Sequence, residues 1–366
     1  MDSTPYFDEL RRVIASKGGL SNAHLHLDRA GTLLLPAGNS TEDISSLSLA
    51  AKHGLISAIH SSEAYDEDKL ISRGAVYIEK LLAAGTTHGA TFVDVTEDRV
   101  GSGALRAFLN LKHRYAGKIA LEVATYNPLG FKKGDASAWN LFAGAAKDAD
   151  FIGSLPERDD RKTYPDNIGF EEHCSRVVSL GLELNKSVHI QVDQRNDPEE
   201  NGTERLIEVL RNSGFKFCDT KEPQIWLIHM ISPSSYDELR FRDLLSSLVD
   251  LNVGVICCPS AAVSMRQLRP LQAPTHNSIA RVLEILAAGI HVRLGSDNIC
   301  DITSPAGTCD LVNEVFMLAN ALRYYDIDVL SSVAAGHKLD AHQRARVASH
   351  LTEDQRQVGS AIGALI

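Results

Sequence analysis

No apolar run in this chain approaches the ~18 residues that a membrane-crossing helix needs. The N-terminal stretch, MDSTPYFDELRRVIASKGG, carries charge throughout and lacks the apolar core of a secretory signal. The six cysteines, Cys174, Cys218, Cys257, Cys258, Cys300 and Cys309, include no C-x-x-C pair and are too sparse for a disulfide framework. They read as free thiols of a reducing compartment. These absences lead to the expectation of a soluble, cytoplasmic protein. No block of like charge is present either: 37 basic against 47 acidic residues give a net charge of −10 spread along the chain. That argues against a nucleic-acid surface or an anionic membrane patch. The expected partner is a small-molecule substrate, with no nucleic acid and no membrane, and the chain is expected to form a homo-oligomer.

What is present is alternation. Short β-branched, apolar runs occur at 20–26, 89–95, 119–125, 150–154, 187–193, 224–230, 252–257 and 291–297. Helical patterns lie between them at 68–84, 169–185, 234–250 and 277–289, the third opened by Ser235 and Glu238 in the spacing of a capping box. Gly85 and Gly289 stand where LLAAGTTH and ILAAGIHV pass from helix to strand. Eight strand–helix units point to an α/β fold, a (β/α)8 TIM-type barrel in one domain over residues 1–366. Residues 1–19 give an N-terminal helix, 20–301 the barrel and 302–366 extra helices, with no separate β domain. A doubly wound open sheet is the alternative, weakened because no glycine-rich phosphate loop follows the first strand. Residues 32–66 are long for a loop and read as a lid or an ordered insertion.

The chemistry-bearing residues fall at strand ends. NAHLHLD places His24 and His26 on one face of the first strand, where two imidazoles one residue apart converge on a divalent ion or are simply satisfied inside a core. His229 ends strand six and Asp297 ends strand eight, so all four lie at the barrel edge where active sites are assembled. In VHIQVDQRND, the odd positions His189, Gln191 and Asp193 share one face of strand five.

The segments NAHLHLDRAGTL, LLAAGTTHGATFVDV, ADFIGSLPERDD, LIHMIS, CCPSAAVSM and GIHVRLGSDNICD together resemble the amidohydrolase superfamily, and within it the bacterial cytosine deaminases. The resemblance implies one divalent metal ion, zinc or iron, on His24, His26, His229 and Asp297. It also implies that Asp297 takes a proton from water while His229 orients that water or steadies the oxygen of the tetrahedral stage.

The chain departs from that pattern on strand five. Gln191 stands where the resemblance asks for a histidine ligand, and Gln194 where it asks for a proton-carrying glutamate. Gln191 still offers an amide oxygen, a weaker donor than imidazole. His189 lies two residues earlier, about 6.6 Å further down the strand, and reads as a buried barrel residue. Gln194 cannot accept and return a proton near neutral pH. Asn127 and Asn298 replace a substrate-reading glutamine and a second acid, and Ala90 and Phe92 replace an arginine and a histidine, which makes cytosine an unexpected substrate.

The binding set is therefore expected to be Asn127, Gln191, Gln194, Asp193, Asn298 and Asp301 around a neutral polar ligand, with His60 a further polar candidate. Arg266 and Arg269 could meet an anionic group or cap a helix. The remaining histidines, His53 and His88 among them, read as surface or core residues. Two functions follow. One is a metal-dependent hydrolase of a C–N bond in a small cyclic or amide-bearing molecule, with Asp297, His229 and Gln194 at the chemistry. Because one aspartate can carry a proton from water to a departing nitrogen, ring or amide hydrolysis fits the missing glutamate better than deamination does. The other is a metal-poor relative that binds a small molecule or catalyses a non-hydrolytic reaction.

Overall fold

The computed structural model describes residues 4–33, 47–265 and 279–363. Eight parallel strands close into a barrel in sequence order. They are β1 (Leu20–Leu25), β2 (Thr86–Asp94), β3 (Ala120–Tyr126), β4 (Phe151–Ser154), β5 (Val188–Val192), β6 (Ile225–His229), β7 (Gly254–Cys257) and β8 (Val292–Leu294). Each overlaps a β-rich run of the sequence, and β8 closes on β1 through the pair Asn22 and Leu294.

The period-2 alternation of the strands sorts their residues between two cores. Phe92, Tyr126, Phe151, Trp226, Ile228 and Ile256 meet in one buried cluster inside the barrel. The alternate residues, such as Val188, Ile190 and Val192 of β5, join the core shared with the outer helices. Gly254 makes room for the largest inner side chain, since a Cβ there would lie 2.4 Å from the Trp226 ring. Gly85 and Gly289 take φ of +93° and +87°, the left-handed turn that ends each preceding helix.

Three expectations are corrected or bounded. The helix expected at 234–250 begins at Glu238, not in a Ser235–Glu238 box: Asp237 is its N-cap, accepting from Arg240 N, and Ser235 closes a short 3-10 turn (Ser232–Ser235). The helix expected at 277–289 spans Val282–Ala287, with 277 and 278 outside the described residues. Arg266, Arg269 and His276 also lie outside them.

Of the long first connection, residues 49–61 form two short helices, Leu49–Gly54 and Ile56–Ser61. His60 anchors them, its Nε2 on Asp94 at 2.9 Å and its Nδ1 on Asp98 at 2.6 Å. Beyond β8 the described chain is helical at Val312–Leu322, Ile327–Ala334 and Ala341–Gly363. The N-terminal helix, Pro5–Ser16, lies against the second of these, where Lys17 pairs with Asp328 at 2.7 Å. No described helix is long and apolar enough to cross a membrane.

Candidate active site

The parallel register brings the C-terminal ends of all strands to one rim, and four of the expected residues converge there. His24 and His26 project from β1 with one residue between them. Asp297 follows β8 and is laced to β1 by its own backbone, donating from N to His24 O at 2.9 Å and accepting at O from His26 N at 3.3 Å. The close approach of β8 to His24 requires Gly295, because a Cβ at that position would lie 2.7 Å from His24 Cβ.

The Asp297 carboxylate then lies 3.3 Å from His24 Nε2, 3.5 Å from His26 Nε2 and 4.0 Å from His229 Nε2. Gln191 Nε2 lies 3.3 Å from His26 Nε2, and a flip of that amide presents its oxygen to the same place. Asp297 and His229 both hold positive φ, +59° and +77°. Such backbone costs a non-glycine residue energy and collects at functional sites.

This group fits a divalent cation. Ligand atoms ~2.1 Å from a tetrahedral ion stand roughly 3.4 Å from one another, close to the spacings above. Both ring nitrogens of buried His24, and Nδ1 of His26 and of His229, have no hydrogen-bond partner, which is costly for buried polar atoms and leaves lone pairs for an ion. Burial pushes His229 down to about 4, and burial with the nearby Arg29 charge holds His26 well below the ordinary histidine value. Both are therefore neutral, as ligands must be. Burial works against ionisation of Asp297, but the facing imidazoles of His24, His229 and His26 win and keep its carboxyl well below the usual range. Imidazoles about one carboxylate are a cation's donor set.

The other expected residues divide. Asp193 is buried with both carboxylate oxygens engaged: Gly202 N donates to one and Thr203 N and Oγ1 to the other, at the start of the helix Gly202–Asn212. These bonds tie the β5 end to that helix. Asn127 is likewise turned to its own loop, accepting from Leu129 N at 2.9 Å and donating to Gly130 O at 3.3 Å. Asp301 accepts from Thr303 N, Ser304 N and Asn298 Nδ2, so Asp301 and Asn298 shape the turn after β8.

His189 is buried deeper in the barrel, its ring 4.3 Å from that of Phe151, and is not among the clustered ligand-type residues. His88 sits toward the opposite end of β2, held by Ser21 and Glu122, and does not approach the site. His60 belongs to a buried network in which Asp94 also receives a bidentate pair from Arg29, at 2.9 and 2.5 Å, and a hydrogen bond from Tyr65. Burial alone would depress His60, yet its bonds to Asp94 and Asp98 carry it up to about 9, so it is a cation.

Two residues of functional type were not singled out from the sequence. Glu157 follows β4 in the turn Pro156–Asp159, half-buried, accepting from Asp193 N at 2.7 Å and from Gln194 Nε2 at 3.1 Å. Burial and the nearby Glu200 and Asp193 carboxylates push its carboxyl well above the ordinary value. The turn is braced from below by Asp159, which holds His173 Nδ1 at 2.6 Å while His173 Nε2 meets Ser154 Oγ at 2.9 Å. That Ser–His–Asp relay is buried throughout and serves the turn.

His53, on Leu49–Gly54, is the other missed residue. Burial and the Arg29 and Arg158 charges push it down to about 3, against the pull of Asp297 and Asp94. His53 and Glu157 both line a cavity of about 190 Å³, together with Arg158, Tyr164 and Arg195. Gln194 Nε2 ties Glu157, on the wall of this cavity, to the end of β5. A carboxylate directly after a barrel strand, in SLPER, was the signal available for Glu157; His53 had none.

No protein-family model matches the chain. It is 29% identical over 284 residues to an uncharacterised protein of Haemophilus influenzae, covering 76% of this chain and 94% of that one. It is 19% identical over 252 residues to a pterin deaminase of Rhizobium rhizogenes, covering 68% of this chain and 54% of the deaminase. The fold is shared with 5-methylcytosine deaminase of Klebsiella pneumoniae bound to 5-fluorocytosine, at a TM-score of 0.72 and 22% identity, over 90% of this chain and 74% of that structure.

Proposed function

We propose that this protein is a metal-dependent hydrolase of C–N bonds in a small amino-heterocycle or cyclic amide. The observation that carries the reading is the convergence of His24, His26, His229 and Asp297 with partnerless buried ring nitrogens. His24, His26 and Asp297 would hold the ion, with His229 beside them and Gln191 offering its amide oxygen. An ion bound there supplies acidity to water and polarises an electrophilic carbon.

The chain's own residues do the rest. Asp297, kept ionised, accepts the proton that water gives up as its oxygen adds to the carbon. His229, neutral and held at positive φ beneath the rim, steadies the oxygen of the tetrahedral stage. The adjoining cavity takes the remainder of a small ring. Two of the proteins to which the chain is similar deaminate amino-heterocycles, which supports the substrate class.

One observation favours a second reading. An amide, not a third imidazole, faces His26, so a metal-poor binding protein is the alternative. The protein supplied with zinc, and separately with iron, is tested for ammonia release from pterin, guanine and cytosine and for ring opening of dihydrouracil. Metal-dependent turnover of at least one, abolished by a chelator, is expected. Failure with all four under both metals would overturn hydrolysis in favour of binding.

A further inference from the structure

Hydrolysis of an amino-heterocycle needs two groups of opposite habit, one to take a proton from water and one to give a proton to a ring nitrogen. Asp297 suits the first role and is useless for the second while ionised. Pairs of acids whose surroundings push them apart mark such a division of labour. Resting on the hydrolase reading, we infer that Glu157 is the proton donor of this site, its carboxyl reaching the substrate cavity from the end of β4 where β5 offers only the amide of Gln194.

Geometry carries this assignment. Glu157 lines the same cavity as His53 and is partly buried. Asp193 N fixes one of its oxygens and Gln194 Nε2 the other, so the carboxyl is clamped to the β5 end instead of swinging in solvent. Each oxygen keeps a further site, enough for one proton and one contact to a ring nitrogen. The clamp is supported in turn, because Asp193 is locked by the helix Gly202–Asn212. Burial and the Glu200 and Asp193 carboxylates raise its proton affinity, the direction a donor requires.

The steps balance. As water oxygen bonds to the ring carbon, one water proton passes to Asp297. Glu157 gives its proton to the adjacent ring nitrogen, which receives the C=N electron pair. The C–N bond to the exocyclic amine then breaks with its pair on nitrogen, and that nitrogen takes the proton from Asp297 and leaves as ammonia. The remaining hydroxyl proton returns to Glu157 as the C=O bond forms. Both side chains are restored, and the net change is water consumed and ammonia released. With this donor in place, deamination is no longer disfavoured by the glutamine at position 194.

The test compares wild type, Glu157→Gln and the double variant Glu157→Gln/Gln194→Glu, all loaded with zinc. Infrared difference spectra at pH 7 between wild type and Glu157→Gln are expected to show the carbonyl band of a protonated carboxylic acid that the variant lacks. Absence of that band overturns the assignment whatever the turnover. With pterin, guanine or cytosine, Glu157→Gln is expected to lower kcat about 10²- to 10⁴-fold with little change in KM. The double variant, which moves the carboxyl across the clamp from the β4 end to the β5 end, is expected to recover part of that loss. A kcat at the wild-type level in Glu157→Gln overturns the proposal while the hydrolase reading stands. A wild type that shows the band yet turns over none of these compounds, nor dihydrouracil, with zinc or with iron overturns the hydrolase reading, and the donor role with it.

Discussion

Asparagine at position 297 is expected to leave a folded protein whose kcat has fallen by about 10³-fold or more. The backbone tolerates the change. Asn is, with Asp, among the residues that accept a left-handed conformation, and the position has φ of +59°. The lacing of residue 297 to His24 and His26 uses main-chain atoms alone and survives. No buried cation is stranded, because His26 and His229 are held neutral by burial. What disappears is the one ionised oxygen pair that faces His24, His26 and His229 together, and with it the acceptor for the proton of water. Turnover and thermal unfolding are measured on the same preparation. Wild-type turnover in Asp297→Asn would remove Asp297 from the mechanism.

Arg29→Ala has the largest effect expected on stability. Asp94 is fully buried and held by Arg29, His60 and Tyr65. Removing one partner of a buried ion pair typically costs about 3–5 kcal/mol because the other charge is left uncompensated. Here the His60 cation still faces Asp94, so the loss is expected near the lower end, about 3 kcal/mol, read from urea unfolding. A loss under about 1 kcal/mol, the size of an exposed pair, would contradict the place given to this network. The network reaches beyond its own bonds, because His60 pins to β2 the helices whose His53 borders the cavity that Glu157 also lines.

The barrel was legible because its signals are local. Strand–helix alternation and period-2 patterning repeat eight times, and helix-ending glycines recur at Gly85 and Gly289. The clustering of His24, His26, His229 and Asp297 was legible for the same reason, since strand ends in a parallel barrel share one rim. What the sequence did not disclose was the direction of side chains just past those ends. Asp193, Asn127 and Asp301 have the chemistry of binding residues, yet each satisfies backbone donors of its own loop or helix. A loop's need for hydrogen-bond partners left no mark that separates it from a ligand's. Glu157 escaped for the opposite reason: its partner Gln194 lies 37 residues away, and only the β4–β5 neighbourhood brings them together.

The claim underlying the whole account is that the rim holds a metal ion. Metal content per chain, measured after zinc or iron is supplied to wild type and to His24→Ala, tests it most directly. His24 is buried, with Nδ1 unpartnered and Nε2 facing only Asp297 at 3.3 Å, so its removal subtracts a ligand from the centre of the group. About one divalent ion per chain is expected in the wild type, since the cluster has one shared centre, and far less in His24→Ala. No ion in either protein under both metals would contradict the account and leave a barrel that has exchanged metal chemistry for ligand binding.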